Sequence, residues 1–316
     1  MFFFRATKFL LIFSLVLWNL TSCESKIKRD SHPQEGTLNV SADESLKPII
    51  DQQVMVFEAS FPKAHINIEY KSEADCFRDF QSDSTQMILV TRAPKNEESD
   101  YYKKVLGHPL LYSVLAFDAD ALVVNRSADD STFSIEQLRK ILTDTVPGKY
   151  QVLLDGDNAT SSVRFIMDSI TQGKNFGVNV RGTDGNEDVL KGVAENKNAI
   201  GFVGSSWILG SGMAEKYRGQ LKLAYVECKR CDDGTFAKPS QATIYSVQYP
   251  LVRPLYGILK NADIGLGASF YNFMSFERGQ LIFRRGELVP AKMNFVVRKV
   301  VNKPDKDSSE SKKNNN

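Results

Sequence analysis

Four short segments, residues 41–45, 72–75, 158–162 and 184–187, gather Ser, Thr, Asn and Asp just before helix-like stretches. Such side chains cap helix N-termini. The free N–H groups and positive dipole end of those termini hold anions. Capping alone accounts for any one segment; the repetition is what points to a site. Two guanidinium groups lie in the same neighbourhood. Arg92 follows Thr91 at the end of the apolar run Met87-Ile-Leu-Val90. A charge there is costly unless matched, and its planar fork suits an oxyanion. Arg164 falls in the first turn of the helix after 158–162, against the macrodipole. An anion beside it explains that position, and so does an ion pair with Asp155, Asp157 or Asp168. The chemistry is reversible capture of an anion by hydroxyls, amides and guanidinium groups.

Catalytic chemistry finds less footing. A nucleophile needs a base, and His65 lies on an alternating strand while His108 neighbours Pro109. There is no G-x-S-x-G context, P-loop or dinucleotide fingerprint; Gly201-x-x-Gly204 and Gly210-x-Gly212 lack the flanking pattern. Cys228-Lys-Arg-Cys231 has the spacing of a redox pair or half a zinc site, without a second Cys or His pair. A local disulfide, or two thiols in a loop, accounts for it. No catalytic residue, metal or cofactor is expected.

The elements that must position these residues follow a strand–loop–helix order. Leu38 and Val40 open a strand, and Leu46, Ile49, Ile50, Val54 and Phe57 recur at helical spacing. Pro48 fits only in the first turn, which places the N-cap near Ser45. Ile66, Ile68 and Tyr70 alternate before a helix from 72 through Phe80. Ser134-Ile-Glu-Gln137 is a capping box ahead of Leu138, Ile141 and Leu142. Gln151-Val-Leu-Leu154 precedes the stripe Val163, Ile166, Met167 and Ile170; Val189, Leu190 and Val193 precede Ala199-Ile-Gly-Phe-Val203. This is the grammar of an α/β protein with a largely parallel sheet. Ligands of such sheets bind at the carboxyl ends of strands.

The 316 residues suggest two domains or one large one. Composition is that of a globular chain, 42% hydrophobic and 25% charged. Arg5 and Lys8 precede the apolar run Phe9–Trp18, which reads as a secretory signal too short to span a bilayer comfortably. Leu20-Thr21-Ser22-Cys23 resembles the bacterial lipobox, making Cys23 the lipidated N-terminus and residues 1–22 the signal peptide. An ordinary signal peptide with a chance Cys is the alternative. Without Arg5 and Lys8 the chain carries 38 basic and 38 acidic residues, so a nucleic-acid partner is disfavoured. Residues 23–35 form a tether, and 302–316 a tail without apolar residues, expected to be disordered.

With these segments placed, the chain resembles the PstS-like substrate-binding lipoproteins of phosphate-type ABC transporters, in the form found in Bacteroidetes-like bacteria. The resemblance spans roughly Gly36 to Val297. It rests on Ala42-Asp43-Glu44-Ser45, Phe57-Glu58, Phe61-Pro62, Thr91-Arg92, Asp157-Asn158 and Ser161-Ser162-Val163-Arg164. Further markers are Asn198-Ala199-Ile200-Gly201, Trp207, Pro239-Ser-Gln-Ala242, Tyr249-Pro-Leu-Val-Arg-Pro254, Arg278-Gly279-Gln280, Gly286 and Pro290. It implies a type II periplasmic-binding-protein fold, with two α/β lobes joined by two crossing segments. The crossings fall near Phe117–Asp120 and Tyr245–Leu255. Lobe one is then 36–117 with 248–301, and lobe two is 118–247.

The implied function is a membrane-anchored, exported solute-binding protein. It captures phosphate or another small oxyanion and passes it, as a monomer, to a transporter permease. The alternative is a lipoprotein that keeps the fold as a ligand sensor or interaction module. Implied ligand-binding residues are Asp43, Ser45, Ser72, Thr91, Arg92, Asn158, Ser161, Ser162, Arg164 and Asn186, with Arg92 contributing most. The sequence departs from better-known phosphate binders. Thr160-Ser161-Ser162 replaces their Ser-Gly-Thr loop, Leu153-Leu154 offers no Arg before it, and Arg92 stands where they carry an Asp. Glu44 and Glu73 also fall in cleft loops, and an unpaired carboxylate repels a dianion by roughly 4 kcal/mol at 4 Å in a dielectric of about 20. Either these carboxylates point away, or they bind protons or cations, or the ligand is not a dianion.

Overall fold

A computed structural model describes residues 32–157, 160–209, 216–217, 219–263 and 265–292. Cys23 with the signal segment, Asn158 and the tail 302–316 lie outside the described residues.

The chain opens with β1 (Glu35–Asp43), α1 (Lys47–Ser60), β2 (Lys63–Lys71), α2 (Glu73–Asp79), β3 (Met87–Val90) and α3 (Asn96–Leu106). The long strand β4 (Leu111–Asn125) leads to β5 (Thr132–Phe133), α4 (Ile135–Thr143), β6 (Gln151–Leu154), α5 (Ser161–Ile166), β7 (Val180–Gly182) and α6 (Asn186–Glu195). Then come β8 (Ala199–Gly204), α7 (Ser205–Ile208), β9 (Leu221–Leu223), β10 (Tyr225–Glu227), β11 (Phe236–Ala237) and α8 (Gln241–Tyr245). The chain returns through β12 (Val252–Leu259), α9 (Leu266–Ser275), α10 (Glu277–Arg285) and β13 (Val289–Pro290).

The main sheet has the order β2-β1-β3-β12-β4-β8-β6-β7. β1 runs parallel to β2 and β3, and β6 parallel to β7 and β8, as strand–helix–strand units require. β4 and β12 run antiparallel to the strands beside them. Strand faces explain the continuous apolar runs. Met87 and Leu89 pack into the cluster of Leu38, Ile49, Ile50, Phe57 and Phe270, while Ile88 and Val90 join Cys76, Phe80 and Tyr102 on the opposite face. In the other lobe, Leu122 and Val124 face Phe133, Leu138 and Ile166, and Ala121 and Val123 face Val189 and Trp207. Strands covered by helices on both faces need apolar residues at every position.

β4 makes the two lobes one sheet. Residues 111–119 pair with β12, and 120–124 pair with β8. The change of partner falls at Asp118-Ala119-Asp120, all fully buried.

Local signals are read correctly at several caps. Ser72 accepts from the Asp75 N–H, and Ser134 and Gln137 close their capping box. The start of α1 differs from expectation. Pro48 sits in the first turn, but the chain enters through a 3₁₀ turn, Glu44–Leu46, whose cap is Asp43 rather than Ser45. Asp43 Oδ1 accepts both the Ser45 N–H and the Ser45 hydroxyl, which holds the Ser45 Oγ towards the other lobe. Cys228 and Cys231 form a disulfide in the loop after β10.

Candidate functional site

Asp43 closes β1 at its carboxyl end and Ser45 follows it, while Thr160 caps α5 after β6 and Ser161 and Ser162 begin that helix. Strand ends of the two lobes therefore face each other across the crossing strands. Ser45 Oγ lies 3.2 Å from Ser161 Oγ, and Ser161 Oγ donates to Asp43 Oδ1 at 2.9 Å. Gly204 permits the approach: a Cβ there would lie 2.3 Å from the Ser45 carbonyl oxygen.

The centre of this contact is Arg253, 1% exposed, on β12 directly opposite Asp118 on β4. Its Nη2 donates to Ser45 Oγ (2.8 Å), and its Nη1 to Ser161 Oγ (3.0 Å) and Ser162 Oγ (3.2 Å). Nε and Nη2 hold Asp118 Oδ2 at 3.1 and 3.0 Å, and Nη1 lies 2.9 Å from Asp120 Oδ1. One guanidinium thus joins both lobes and both crossing strands. Burial alone would weaken its hold on its proton; Asp120, Asp118 and Asp43 outweigh that and push its pKa above the ordinary value.

The carboxylates around it respond to the same burial. Asp43 is pushed up to about 7, by burial first and then by Glu73. Asp120 rises to about 6 through burial, although Arg253 opposes the rise. Asp155 and Glu44 are also raised by burial. Asp43 Oδ2 and Asp120 Oδ2 are buried without a hydrogen-bond partner. Near neutral pH Asp43 therefore passes between acceptor and donor.

Two more contacts cross the cleft. Arg164 donates through Nε to Glu73 Oε1 (2.6 Å) and through Nη2 to Thr91 Oγ1 (2.9 Å), while Glu73 Oε2 accepts from the Thr91 N–H and hydroxyl. Of the acids considered from sequence, Asp168 is 3.7 Å from Arg164, so its main partner is Glu73, contributed by the other lobe. Asn186 donates Nδ2 to Glu44 Oε2 (2.6 Å) and to Asp155 Oδ2 (3.3 Å). Gly185, at φ 112°, brings its backbone against the Glu44 carboxylate, where a Cβ would sit 3.2 Å away.

The structure thus gathers Asp43, Ser45, Thr91, Ser161, Ser162, Arg164 and Asn186 along one interlobe seam. Ser72 serves as the cap of α2, donating to Asp75 Oδ2 at 2.7 Å, and borders the seam. Arg92 is placed differently. Its two Nη atoms grip Glu98 at 2.8 Å each, and its guanidinium stacks over Phe77 at 3.5 Å. It lies 3.9 Å from Glu73, and its fork is committed within lobe one. Arg253, in the Tyr249–Pro254 marker, and Asp118 and Asp120, in the first crossing, are not among the ligand-binding residues implied by the sequence. The signal was an Arg between Val252 and Pro254 in a buried run, and two Asp spaced by one residue on an apolar strand.

A model of the PBP superfamily domain matches residues 28–277. No curated protein matches the chain significantly. Among solved structures, the chain is similar to a protein from Clostridium perfringens described as a phosphate ABC transporter substrate-binding protein with bound phosphate. Identity is 20% and TM-score 0.66, covering 81% of this chain and 100% of that one. It is also similar to an ABC-type phosphate transport receptor from Vibrio cholerae (16%, TM-score 0.59, 81% and 100% covered). A possible phosphate binding protein from Planctomyces limnophilus follows (20%, TM-score 0.55, 81% and 93% covered). The likeness is one of fold: two α/β lobes of the type II periplasmic-binding-protein kind.

Proposed function

The chain belongs to the PBP superfamily, and from that premise we propose that it captures a small oxyanion, inorganic phosphate first, between its lobes. The observation that carries this reading is the convergence of Arg253 with the Ser45, Ser161 and Ser162 hydroxyls, drawn from both lobes. A guanidinium fork and three rotatable hydroxyls can all donate to one anion. An entering oxyanion takes over the Ser45–Ser161 and Asp43–Ser161 contacts, replacing protein–protein bonds with bonds to itself. Asp43 then accepts the proton of hydrogen phosphate, or donates when it is itself protonated. Sulfate, fully ionised and without a proton to give, meets the Asp43 and Asp120 carboxylates less favourably.

Arg253 is the central cation of this assignment, and Asp43, Ser45, Ser161 and Ser162 complete the seat. Thr91 with Arg164, and Asn186 with Glu44, join the lobes on closure; Arg92 and Ser72 brace lobe one. The hinge lies at the two crossing strands, with lobe one as 36–117 plus 248–301 and lobe two as 118–247. Delivery to an ABC transporter permease, a monomeric state, and export with a lipid anchor at Cys23 complete the proposal. In this proposal the acyl chains on Cys23 supply the membrane attachment; no helix among the described residues is long and apolar enough to cross a membrane.

Titration calorimetry with inorganic phosphate tests the reading. Saturable one-to-one binding is expected, with ligand at a hundredfold excess over Kd stabilising the protein by about 2.7 kcal/mol. No binding heat and no change in melting temperature with millimolar phosphate would exclude phosphate. The anchor has its own test. Cys23→Ser should abolish fatty-acid labelling, and normal labelling of that variant would end the lipoprotein proposal.

A further inference from the structure

The carboxyl groups of the seam are unevenly matched. Asp118 and Asp120 share Arg253, and Glu73 holds Arg164. Asp43, Glu44 and Asp155 have no ion-pair partner among the described residues. The nearby Lys71 is taken by Glu69 and Asp79, and Lys47 by Asp51. All three unmatched groups line one pocket of about 210 Å³ at the cleft mouth, where Asp184 joins them; Lys71 lines it too, its ammonium held by Glu69 and Asp79. Asp43 is 1% exposed, and its Oδ2 has no hydrogen-bond partner.

Carboxyl groups crowded this way favour either protons or a cation. No group of side chains among the described residues has the arrangement to hold a metal ion. The pocket adjoins the oxyanion seat directly. Asp43 belongs to both, and Thr160, which lines the pocket, precedes Ser161 in the seat. Thr183 and Ser72 hydroxyls add neutral polar lining.

We propose that the cleft mouth binds a primary ammonium group carried on the same ligand whose oxyanion occupies the seat, so that the ligand class is the aminoalkyl phosphates or phosphonates. The inference rests on the oxyanion reading given above. A two-carbon ammonium arm has three heavy atoms, about 90 Å³ at the ~30 Å³ of a water-sized group, and the pocket has room for it. Its three N–H donors meet the carboxyl oxygens of Asp43, Glu44 and Asp155, which hold no direct ion pair among the described residues.

The test compares phosphoethanolamine and 2-aminoethylphosphonate with 2-hydroxyethyl phosphate and inorganic phosphate, by calorimetry on the intact protein. The hydroxyl compound keeps the size of the arm and removes its charge. The two aminated ligands are expected to bind about tenfold more tightly than the hydroxyl compound, the lower end for a charge-assisted hydrogen bond. The exposed Asp184→Asn change, and Glu44→Gln, should narrow that ratio. A ratio below threefold in the unmodified protein, with phosphate still binding, overturns the ammonium pocket and leaves the oxyanion reading standing. Absence of binding by all four compounds overturns both. An unchanged ratio in both variants would likewise remove these carboxylates from the role.

Discussion

Replacing Arg253 with Met removes the one cation shared by Asp118 and Asp120 while keeping a side chain of similar length. Both carboxylates and the Arg side chain are fully buried, so solvent does not step in. Breaking a buried pair from one side costs about 3–5 kcal/mol, because the remaining charge is uncompensated. For a chain of 316 residues, with an unfolding entropy of about 2.1 cal/mol/K per residue, that is a fall in Tm of about 5–8 °C. The loss must depend on pH. Asp120 already stands at about 6 against an ordinary 3.8, through burial, with Arg253 acting to lower it. An acid whose folded pKa is raised contributes stability that is full below its unfolded pKa and lost as pH rises through the folded one. Without Arg253 that window extends above 6, so Arg253→Met should be more damaging at pH 8 than at pH 5. Asp120→Asn added to the variant should recover part of the loss. Thermal and urea unfolding of the three proteins at both pH values measure this. A Tm drop under about 3 °C at pH 8, or equal drops at the two pH values, would refute the role given to Arg253.

Ser161→Ala removes a hydroxyl bonded to Asp43 and Arg253, and should weaken phosphate binding by about 0.5–1.5 kcal/mol, roughly twofold to tenfold; calorimetry reads it, and unchanged affinity moves the seat elsewhere. Arg92→Ala should lower stability by about 1–2 kcal/mol through loss of Glu98 and Phe77, leaving phosphate affinity within twofold; a tenfold loss of affinity would return Arg92 to the ligand. In the unmodified protein, burial raises Asp43 to about 7 and Asp120 to about 6, so stability should decline from about pH 4 towards pH 7. Asp43→Asn should flatten that decline, and melting curves across the range decide it.

What the sequence determined by itself was local. Alternating strands, the helical stripe from Leu46 to Phe57, Pro48 in a first turn and the Ser134–Gln137 box depend on neighbours within a few residues, and they were legible for that reason. The strand-to-helix positions of Ser45, Ser161, Ser162 and Asn186 followed from the same grammar, and the fold places them on one seam. Which charge meets which was decided only in three dimensions. Arg253 and Asp118 are 135 positions apart and become opposite residues only when β12 lies beside β4. Arg92 and Arg164 look alike as candidates along the chain. Arg92 is gripped by Glu98, six positions ahead on α3, whereas Arg164 reaches Glu73, 91 positions away on the other lobe. A guanidinium takes its role from the carboxylates that folding brings within about 3 Å, and no local pattern records that distance.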